Sequence, residues 1–349
     1  MLNDALSGKL ILDFSLLLPG PLASNMLAQM GAKVIKIEHP QKMDATRIYP
    51  PFVEDEALMY RMLNKDKESW IIDFETSENY QKICAAVAQA DVLIEQFRPG
   101  VMQGWGLDYA SLKAINPELI YLSLTGFGQS GPLANKAGHD INYLALTGLL
   151  DMMRDVNGRP VLPEVQIADI SGGAYMLVSA CLAALVKGKG QYIDVAIIDG
   201  LPALQHIPFS QYWGGIDPQQ LKLLSGGLVN YNVYACKDGR YIALGALETK
   251  FWNRFCQFIH QSDWQRKHFG ELSVHVFPKE KVEAVFLKKT QKDWVDACKD
   301  QDFCLSPVLK LSEIEQNEQL QARGFFDSPY QIDWPWIKKD TPSPNNKAL

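Results

Sequence analysis

The sequence predicts an α/β protein with a larger domain built on a parallel sheet and a smaller α/β domain. The first observation is an apolar run at 9–14, helical spacing from Leu22 to Met30, and a second apolar run at 34–38. Two strands around one short helix form a βαβ unit, which places both strands parallel in one sheet. The second observation comes later in the chain, where runs at 229–235 and 240–246 flank a short turn and predict an antiparallel hairpin.

Within the first domain, proline and glycine mark the element boundaries. The segment Pro19-Gly20-Pro21 is expected to end the first strand, and Gly31 is expected to cap the helix that follows. The alternation then repeats, with helices at 79–90, near Ser111-Leu112 and at 171–186, and strands at 91–95, 119–124 and 191–197. This repetition extends the parallel sheet by several strands.

The second domain begins with the hairpin and continues with helices. Helical patterns occur at 249–260, 279–289, 291–299 and 311–323. We expect domains at 1–215 and 216–330, with the segment 331–349 returning to the first domain. A length of 349 residues suits two domains, since one domain takes about 150 residues.

Composition excludes several classes of protein. Hydrophobic residues make up 47% and charged residues 21%, which is typical of a globular chain and not of a disordered one. The net charge is −6 and Lys and Arg form no long runs, so we expect no nucleic-acid binding. The six cysteines form no CxxC pair and predict free thiols, and we expect no metal site. The apolar run from Leu10 to Leu18 is too short to span a membrane, so we expect a cytoplasmic protein that binds no membrane.

Three titratable residues lie at predicted helix starts. His139 precedes Asp140, a natural N-cap, and the positive end of the helix would keep the imidazole neutral and ready to accept a proton. The alternative for His139 is a histidine packed at a helix start. Asp169 lies among apolar residues and glycines, where it is an ordinary N-cap, a proton donor with a raised pKa, or a carboxylate nucleophile. Glu248 is either a first-turn glutamate or a group that orients a histidine.

A glycine-rich loop and three cations are candidates for binding the ligand. The loop from Gly126 to Pro132 follows a strand, and Gly126 and Gly128 would let a phosphate or a pantetheine chain approach the backbone. The loop lacks the spacing of a known nucleotide-binding motif, so a plain loop is the alternative. Lys65, Lys67 and Arg98 are either solvated surface charges or phosphate ligands.

Together these segments resemble the family III CoA-transferases and, within them, the α-methylacyl-CoA racemases. The matching motifs run in order over nearly the whole chain: Pro19-Gly20-Pro21, Arg98-Pro99-Gly100-Val101, Leu119-Ile120-Tyr121, the loop Gly126 to Pro132, Gly138-His139-Asp140-Ile141-Asn142-Tyr143, Ala168-Asp169, Gly188-Lys189-Gly190, Gly245-Ala246-Leu247-Glu248 and Ser306-Pro307-Val308-Leu309. The resemblance implies a large Rossmann-like domain and a small α/β domain in an interlocked homodimer, with active sites shared between the subunits.

The resemblance also implies roles for the titratable residues. Transferases of this family keep an aspartate at the position of Asp169, where it forms an acyl-enzyme, and they generally lack the histidine and the glutamate found here. Racemases carry all three residues. By that match, His139 supported by Glu248 is one acid/base and Asp169 is the other.

The partner that the resemblance implies is an acyl-CoA, with CoA contacts that include Leu17, His39 and Tyr143. The racemases usually have an arginine where this chain has His39. The expected reaction inverts the 2-position of a 2-methylacyl-CoA by proton transfer through an enolate, with coenzyme A bound as part of the substrate and no separate cofactor. We expect a backbone N–H of the helix start Asp169-Ile170-Ser171-Gly172 to hold the enolate oxygen. The alternatives are a CoA-transferase that uses Asp169 covalently and a CoA-binding protein without catalysis.

Overall fold

A computed structural model of the chain describes residues 2–266, 277–327, 330 and 332–338. The chain divides into two units: unit 1 is Met1–Gln205 with Glu318–Leu349, and unit 2 is His206–Asn317. The boundaries expected from the sequence, at residues 215 and 330, lie a short distance after the observed ones, which follow Gln205 and Asn317. Each unit combines helices with a sheet, which confirms the α/β class.

The strands follow one another in two groups that correspond to the two units. They are β1 (Leu10–Asp13), β2 (Lys33–Glu38), β3 (Phe52–Val53), β4 (Glu56–Ala57), β5 (Glu68–Ile71), β6 (Val92–Glu95), β7 (Ile120–Thr125), β8 (Gln191–Ala196), β9 (Tyr231–Ala235), β10 (Tyr241–Gly245) and β11 (Leu305–Pro307). The short pair β3 and β4 forms a small antiparallel ribbon of its own.

The helices are mostly short and alternate with the strands in unit 1. They are α1 (Pro19–Gln29), α2 (Leu58–Asn64), α3 (Ser77–Val87), α4 (Val101–Gly104), α5 (Tyr109–Lys113), α6 (Asp140–Leu146), α7 (Leu149–Met152), α8 (Tyr175–Lys187), α9 (Ile197–Gly200), α10 (His206–Trp213), α11 (Pro218–Leu221), α12 (Thr249–Phe258), α13 (Lys279–Phe286), α14 (Gln291–Cys298), α15 (Glu318–Arg323) and α16 (Pro335–Lys338). A π-helix at Ala168–Ala174 leads directly into α8.

Several helix boundaries differ from those expected, and two of the differences have a local cause. Helix α1 begins at Pro19 and not at Leu22, because proline fits the first turn of a helix, where its missing N–H would have no partner. The single helix expected at 311–323 is a 3₁₀ turn at Leu311–Gln316 followed by α15. Asn317 separates them because its backbone is extended, with φ −70° and ψ 117°.

Unit 1 contains a six-stranded sheet in which all neighbouring strands are parallel. The strand order is β5-β2-β1-β6-β7-β8, which confirms the parallel sheet that the βαβ pattern predicted. Strand β5 was missed because its sequence, Glu68-Ser69-Trp70-Ile71, is short, has no apolar alternation, and is mostly exposed at the sheet edge. Since the strands are parallel, their carboxyl ends lie along one edge of the sheet, where ligands bind in such folds.

Helices cover both faces of this sheet. Ile11 and Leu12 are neighbours on β1 and both are fully buried, but they face different cores. One core joins Ile11 to α1 and α8, through residues such as Leu27 and Leu177. The other joins Leu12 to α3, through residues such as Val87. Side chains alternate along a strand, so a strand covered on both faces is apolar at nearly every position.

The segment Ala168–Lys187 has the length and composition of a membrane span, with 20 residues and a mean hydropathy of 1.6. In the structure one face of this segment packs in the core, where Leu177, Cys181 and Ala184 are at most 2% exposed, and 44% of its apolar window is buried. These three side chains pack in the same core as β6 and β7. A helix that packs on a parallel sheet is apolar for that reason, so its composition alone is weak support for a membrane span.

The first and last described segments of the chain meet in unit 1. The Leu2 N–H donates to the Ile337 carbonyl at 2.9 Å. Ile337, on α16, is fully buried in the core that also contains Leu6 and Met30. The segment 331–349 was expected to return to the first domain; it contacts unit 1 at Ile337, while residues 331 and 339–349 lie outside the described residues.

Unit 2 is built on an antiparallel sheet and a cluster of aromatic side chains. The strand order is β11-β10-β9, and β9 and β10 form the predicted hairpin. Trp252 and Phe255 of α12 pack with Phe286 of α13 in the core of the unit. The cysteines of the chain are free thiols, as predicted, and Cys304 of this unit is exposed.

Candidate active site

A cavity of about 500 Å³ opens at the carboxyl ends of β6 and β7. Of the residues singled out in the sequence, it is lined by Leu17, Arg98, Gly126, His139, Tyr143 and Asp169. Its size and its place at the carboxyl edge of a parallel sheet are those of a small-molecule site. No group of three or more His, Cys, Asp or Glu side chains in the described part of the chain is placed to hold a metal ion.

Asp169 lies in the π-helix that precedes α8. Helical segments of this kind are rare and occur frequently at functional sites. A glycine at 172 lets the π-helix pack closely on α9, because a β-carbon there would lie 2.2 Å from the Ile197 carbonyl oxygen. A side chain at residue 172 would therefore push the π-helix that carries Asp169 away from α9.

The carboxyl group of Asp169 is able to exchange a proton near neutral pH. Burial raises the pKa of Asp169 to about 6, with the Asp140 carboxylate acting in the same direction and His139 in the opposite one. Asp140 Oδ1 accepts the backbone N–H of Asp169 at 3.0 Å, which keeps the two residues close. Gln166 donates a longer hydrogen bond, of 3.4 Å, to Asp169 Oδ2. A carboxyl group with such a pKa can donate a proton in one step and accept one in the next.

His139 is the N-cap residue of α6, and its side chain is exposed. The sequence had suggested Asp140 as the cap, but Asp140 is the first helical residue and its carboxylate binds Asp169 instead. The His139 N–H donates to Asn142 Oδ1 at 3.0 Å, and this bond holds the backbone at the helix start. His139 and Asp169 therefore meet at one cavity from two separate helix starts.

Tyr143 packs over the glycine-rich loop. Its hydroxyl donates to the Gly138 carbonyl at 2.8 Å, and its ring centroid lies 5.1 Å from that of Phe127. A β-carbon at residue 126 would lie 2.2 Å from the Tyr143 hydroxyl oxygen, so only glycine fits there. Tyr143 thus occupies the side of Gly126 on which a β-carbon would lie, and the expected approach of a ligand to the Gly126 backbone stays a prediction.

A buried carboxyl group that sequence reasoning missed connects two sides of the cavity. Glu95, the last residue of β6, is 3% exposed and accepts the Phe97 N–H at 2.7 Å and the Ser123 hydroxyl. The Gln129 side-chain amide donates to Ser123 Oγ at 2.6 Å, and the Gln129 N–H donates to Asp194 at 2.8 Å. Phe97 lines the cavity and Gln129 belongs to the glycine-rich loop, so Glu95 links these two loops.

Replacing Glu95 with glutamine is expected to change how stability depends on pH. Burial raises the pKa of Glu95 from 4.5 to about 7. Between these two pH values the carboxyl group is therefore protonated in the folded state and ionised in the unfolded state. The resulting stabilisation is complete below about pH 4.5 and is lost as the pH rises through about 7. Relative to the wild type, Glu95→Gln should gain up to about 3 kcal/mol of unfolding free energy between pH 5 and pH 8.

Urea unfolding at several pH values measures this difference. The exposed Glu118 gives a matched control, since Glu118→Gln should follow the wild type at every pH. A constant difference between Glu95→Gln and the wild type from pH 5 to pH 8 would show that Glu95 does not titrate in this range.

Lys67, which the sequence suggested as a phosphate ligand, is buried inside unit 1. Its side chain is 1% exposed, and its ammonium group contacts Asp13 at 3.1 Å, the Pro21 carbonyl at 2.9 Å and Asn64 Oδ1 at 2.8 Å. Burial lowers the pKa of Lys67 to about 8, although Asp13 acts in the opposite direction. The Lys67 ammonium group is thus paired with acceptors on β1, α1 and α2, and it stabilises the packing of these three elements.

The cavity that contains His139 and Asp169 is also not lined by His39, Lys65 or Gly128. His39 is 5% exposed and its Nε2 lies 3.1 Å from Asp73 Oδ1, so the ring is held by its own surroundings. Lys65 lines a separate cavity of about 430 Å³. Gly128 has a φ of 83° and lies next to Asp194. The CoA contacts expected for these residues, and for Lys67, stay predictions.

Glu248 belongs to unit 2. It is the N-cap residue of α12, and its carbonyl accepts the N–H groups of Phe251 at 3.0 Å and Trp252 at 3.1 Å. Its side chain is exposed and therefore free of the core of its unit. Its expected support of His139 stays a prediction.

Comparison with known proteins then decides the family. Residues 6–335 match the family model described as CoA-transferase family III. The chain belongs to CoA-transferase family III. This membership confirms the family resemblance drawn from the ordered motifs, and α-methylacyl-CoA racemases are among the similar proteins.

Similar members of CoA-transferase family III carry two kinds of name. The chain is 34% identical to a succinate–glutarate CoA-transferase of Agrobacterium fabrum, over 91% of this chain and 84% of that protein. It is 31% identical to the human α-methylacyl-CoA racemase, over 92% of this chain and 82% of that protein. A crystal structure of a CAIB/BAIF family protein from Brucella suis has a TM-score of 0.79 at 29% identity, covering 92% of this chain and 88% of that chain. The fold and the family are thus established, while the relatives differ in their reactions.

Sequence reasoning overlooked Glu95 and Thr125 in this family III chain. Both are polar residues at the last position of a buried strand, in Val92–Glu95 and Ile120–Thr125. A polar side chain at the carboxyl end of a buried parallel strand lies at the ligand-binding edge of the sheet. The position of Glu95 and Thr125 at the ends of these strands could have identified both residues from the sequence.

Proposed function

We propose that the protein is a racemase that inverts the 2-position of 2-methylacyl-CoA thioesters. The observation that carries the proposal is that His139 and Asp169 line one cavity, with the pKa of Asp169 raised to about 6 by burial. Inversion next to a thioester carbonyl needs a base on one face of the carbon and an acid on the other. An imidazole and a carboxyl group that titrates near neutral pH supply such a pair.

In one direction of the proposed reaction, His139 takes the proton from C2 and the electron pair moves into the carbonyl to form an enolate. Asp169 in its protonated form then gives a proton to C2 from the opposite face. In the other direction Asp169 is the base and His139 the acid. The raised pKa matters because an ordinary aspartate, with a pKa of about 3.9, would hold almost no proton at neutral pH. The thioester bond stays intact throughout.

Two of the backbone N–H groups expected to hold the enolate oxygen already have acceptors. The Asp169 N–H donates to Asp140, and the Ile170 N–H donates to the Gln166 carbonyl at 3.1 Å. The expectation for the remaining residues of this helix start, Ser171 and Gly172, stays a prediction. In the proposed reaction the negative charge is met by Lys136, a cation that lines the cavity.

The second candidate function is CoA transfer between carboxylic acids. It is favoured by the similarity to the succinate–glutarate CoA-transferase, at 34% identity. In this reaction the Asp169 carboxylate attacks the thioester carbonyl, the carbon–sulfur bond breaks, and CoA leaves as the thiolate while an acyl-aspartyl anhydride forms. An acceptor acid is then required. The two candidates differ in whether the thioester bond breaks.

The proposed racemase further includes a homodimer in which Glu248 of one subunit supports His139 of the other. Glu248 is exposed on unit 2, where its carboxylate is accessible to a partner. The proposed substrate is an acyl-CoA and the proposed location is cytoplasmic. Light scattering of the wild type, together with a mixed dimer of His139→Ala and Glu248→Gln subunits, tests this sharing of the site.

Deuterium exchange tests the proposed reaction. A 2-methylacyl-CoA incubated with the protein in D₂O should take up one deuterium at the 2-position, seen by NMR, while its thioester remains intact. The reason is that both acid/bases exchange their protons with solvent between turnovers. Release of CoA to added carboxylic acids, faster than deuteration, would support the transferase and contradict the racemase.

A further inference from the structure

Thr125, the last residue of β7, has a buried hydroxyl group with no hydrogen-bond partner among the described residues. The residue is 9% exposed, and it lines the cavity that contains His139 and Asp169. Most buried hydroxyl groups in folded proteins have a partner, because an unpaired one loses its hydrogen bonds to water without replacement. A polar group that the chain leaves unpaired at a cavity wall points to a partner on the ligand.

A second threonine at the same cavity shows what a paired hydroxyl looks like. Thr46 is fully buried and also lines the cavity. Its hydroxyl donates to Asp44 Oδ1 at 2.7 Å, and its N–H donates to the same oxygen at 2.9 Å. Thr46 is therefore satisfied within the chain, whereas Thr125 is not.

The strand order places Thr125 between the two ends of the expected ligand. Strand β7 lies between β6, which leads to Arg98, and β8, which leads to Ile197. Ile197 contacts Gly172 of the π-helix that carries Asp169. A ligand with an anionic group at Arg98 and its reacting carbon near Asp169 must therefore pass the end of β7.

We propose that the Thr125 hydroxyl hydrogen-bonds an amide group of the pantetheine chain and so selects ligands that carry this chain. The inference rests on the proposed function, in which the cavity takes an acyl-CoA. The pantetheine chain joins the phosphates to the thioester, and its amides offer both a carbonyl acceptor and an N–H donor. A hydroxyl can pair with either group. The neighbours of Thr125 in the chain, Leu124 and Gly126, have no polar side chain that could do the same.

Two variants and two ligands test the proposal by isothermal titration calorimetry. Thr125→Val keeps the shape of the side chain and removes the hydroxyl, and it should weaken CoA binding by about 5- to 30-fold. Thr125→Ser keeps the hydroxyl and should bind CoA within about threefold of the wild type. Adenosine 3′,5′-bisphosphate lacks the pantetheine chain, so all three proteins should bind it equally.

Thermal unfolding without ligand gives an independent measurement. Thr125→Val should unfold at the same temperature as the wild type or higher, because a methyl group replaces an unpaired hydroxyl. The matched variant Thr46→Val removes a hydroxyl that is paired with Asp44, and it should unfold at a lower temperature. A purely structural role of Thr125 would lower the unfolding temperature of Thr125→Val as well.

The outcomes of these measurements distinguish a failure of the role of Thr125 from a failure of the proposed function. Equal CoA affinity of Thr125→Val and the wild type would overturn the role of Thr125 and leave the proposed function standing. A lower unfolding temperature for Thr125→Val would overturn it too, by showing that the hydroxyl is paired within the chain. Failure of the wild type to bind either CoA or the bisphosphate would instead overturn the proposed function, and the pantetheine contact with it.

Discussion

Replacing His139 with alanine is expected to lower the racemisation of a 2-methylacyl-CoA by roughly 10²- to 10⁴-fold. The loss is large because water is a much weaker base than a positioned imidazole and cannot replace it on one face of the enolate. Stability should change little, since His139 is exposed and it is its backbone N–H that binds Asn142. Deuterium exchange and loss of optical activity measure the effect.

His139→Gln provides the matched control for shape. Glutamine keeps a polar side chain of similar length but does not take up a proton near neutral pH, so it should be as inactive as alanine. Both variants should bind CoA as the wild type does. Turnover near the wild-type rate in a folded His139→Ala protein would exclude His139 from the mechanism.

Replacing Asp169 with asparagine is expected to stop proton transfer on one face of the enolate. Racemisation should fall by roughly 10²-fold or more, while exchange through His139 alone continues on the other face. The variant should fold well, because the backbone N–H that binds Asp140 is retained and the repulsion between two carboxylates is removed. Chiral analysis of the deuterated product shows which face still exchanges.

Asp140→Asn is the matched control for Asp169→Asn. The Asp140 carboxylate raises the pKa of Asp169, so its neutralisation should move the titration of Asp169 to lower pH and leave exchange on both faces. An acyl-enzyme trapped by hydroxylamine in the wild type and absent from Asp169→Asn would contradict the racemase, because it requires that the thioester break.

The parallel sheet could be predicted because its strands are covered on both faces. Runs such as Leu10–Asp13 and Val92–Glu95 are then apolar almost throughout, and helical spacing between them identifies the crossovers. The edge strand Glu68–Ile71 could not be found in this way, since its side chains are mostly exposed and follow no hydrophobic pattern. The π-helix at Ala168–Ala174 depends on the close contact of Gly172 with Ile197, which is a tertiary effect.

The candidate site could be predicted only in part, because the burial of a charged residue depends on partners that are distant in the chain. His139 and Asp169 were found because helix starts and glycines mark them in the sequence. The burial of Lys67 was not foreseen when it was expected as a surface charge or a phosphate ligand, because its pairing with Asp13 joins residues that are far apart in the chain. Charged residues are rarely buried, so local sequence favours the exposed reading unless the distant partner is known.

The burial of Ile337 has a consequence for the order in which the protein is made. The strands from β1 to β8 are synthesised before His206–Asn317, and α16 is synthesised after it. Until then the core around Leu6 and Met30 lacks Ile337 and Trp334, and the Leu2 N–H lacks its acceptor. Joining segments so distant in the chain also costs loop entropy. A nascent chain that pauses within unit 2 therefore has an apolar gap in the core of unit 1 that closes only after α16 has been synthesised.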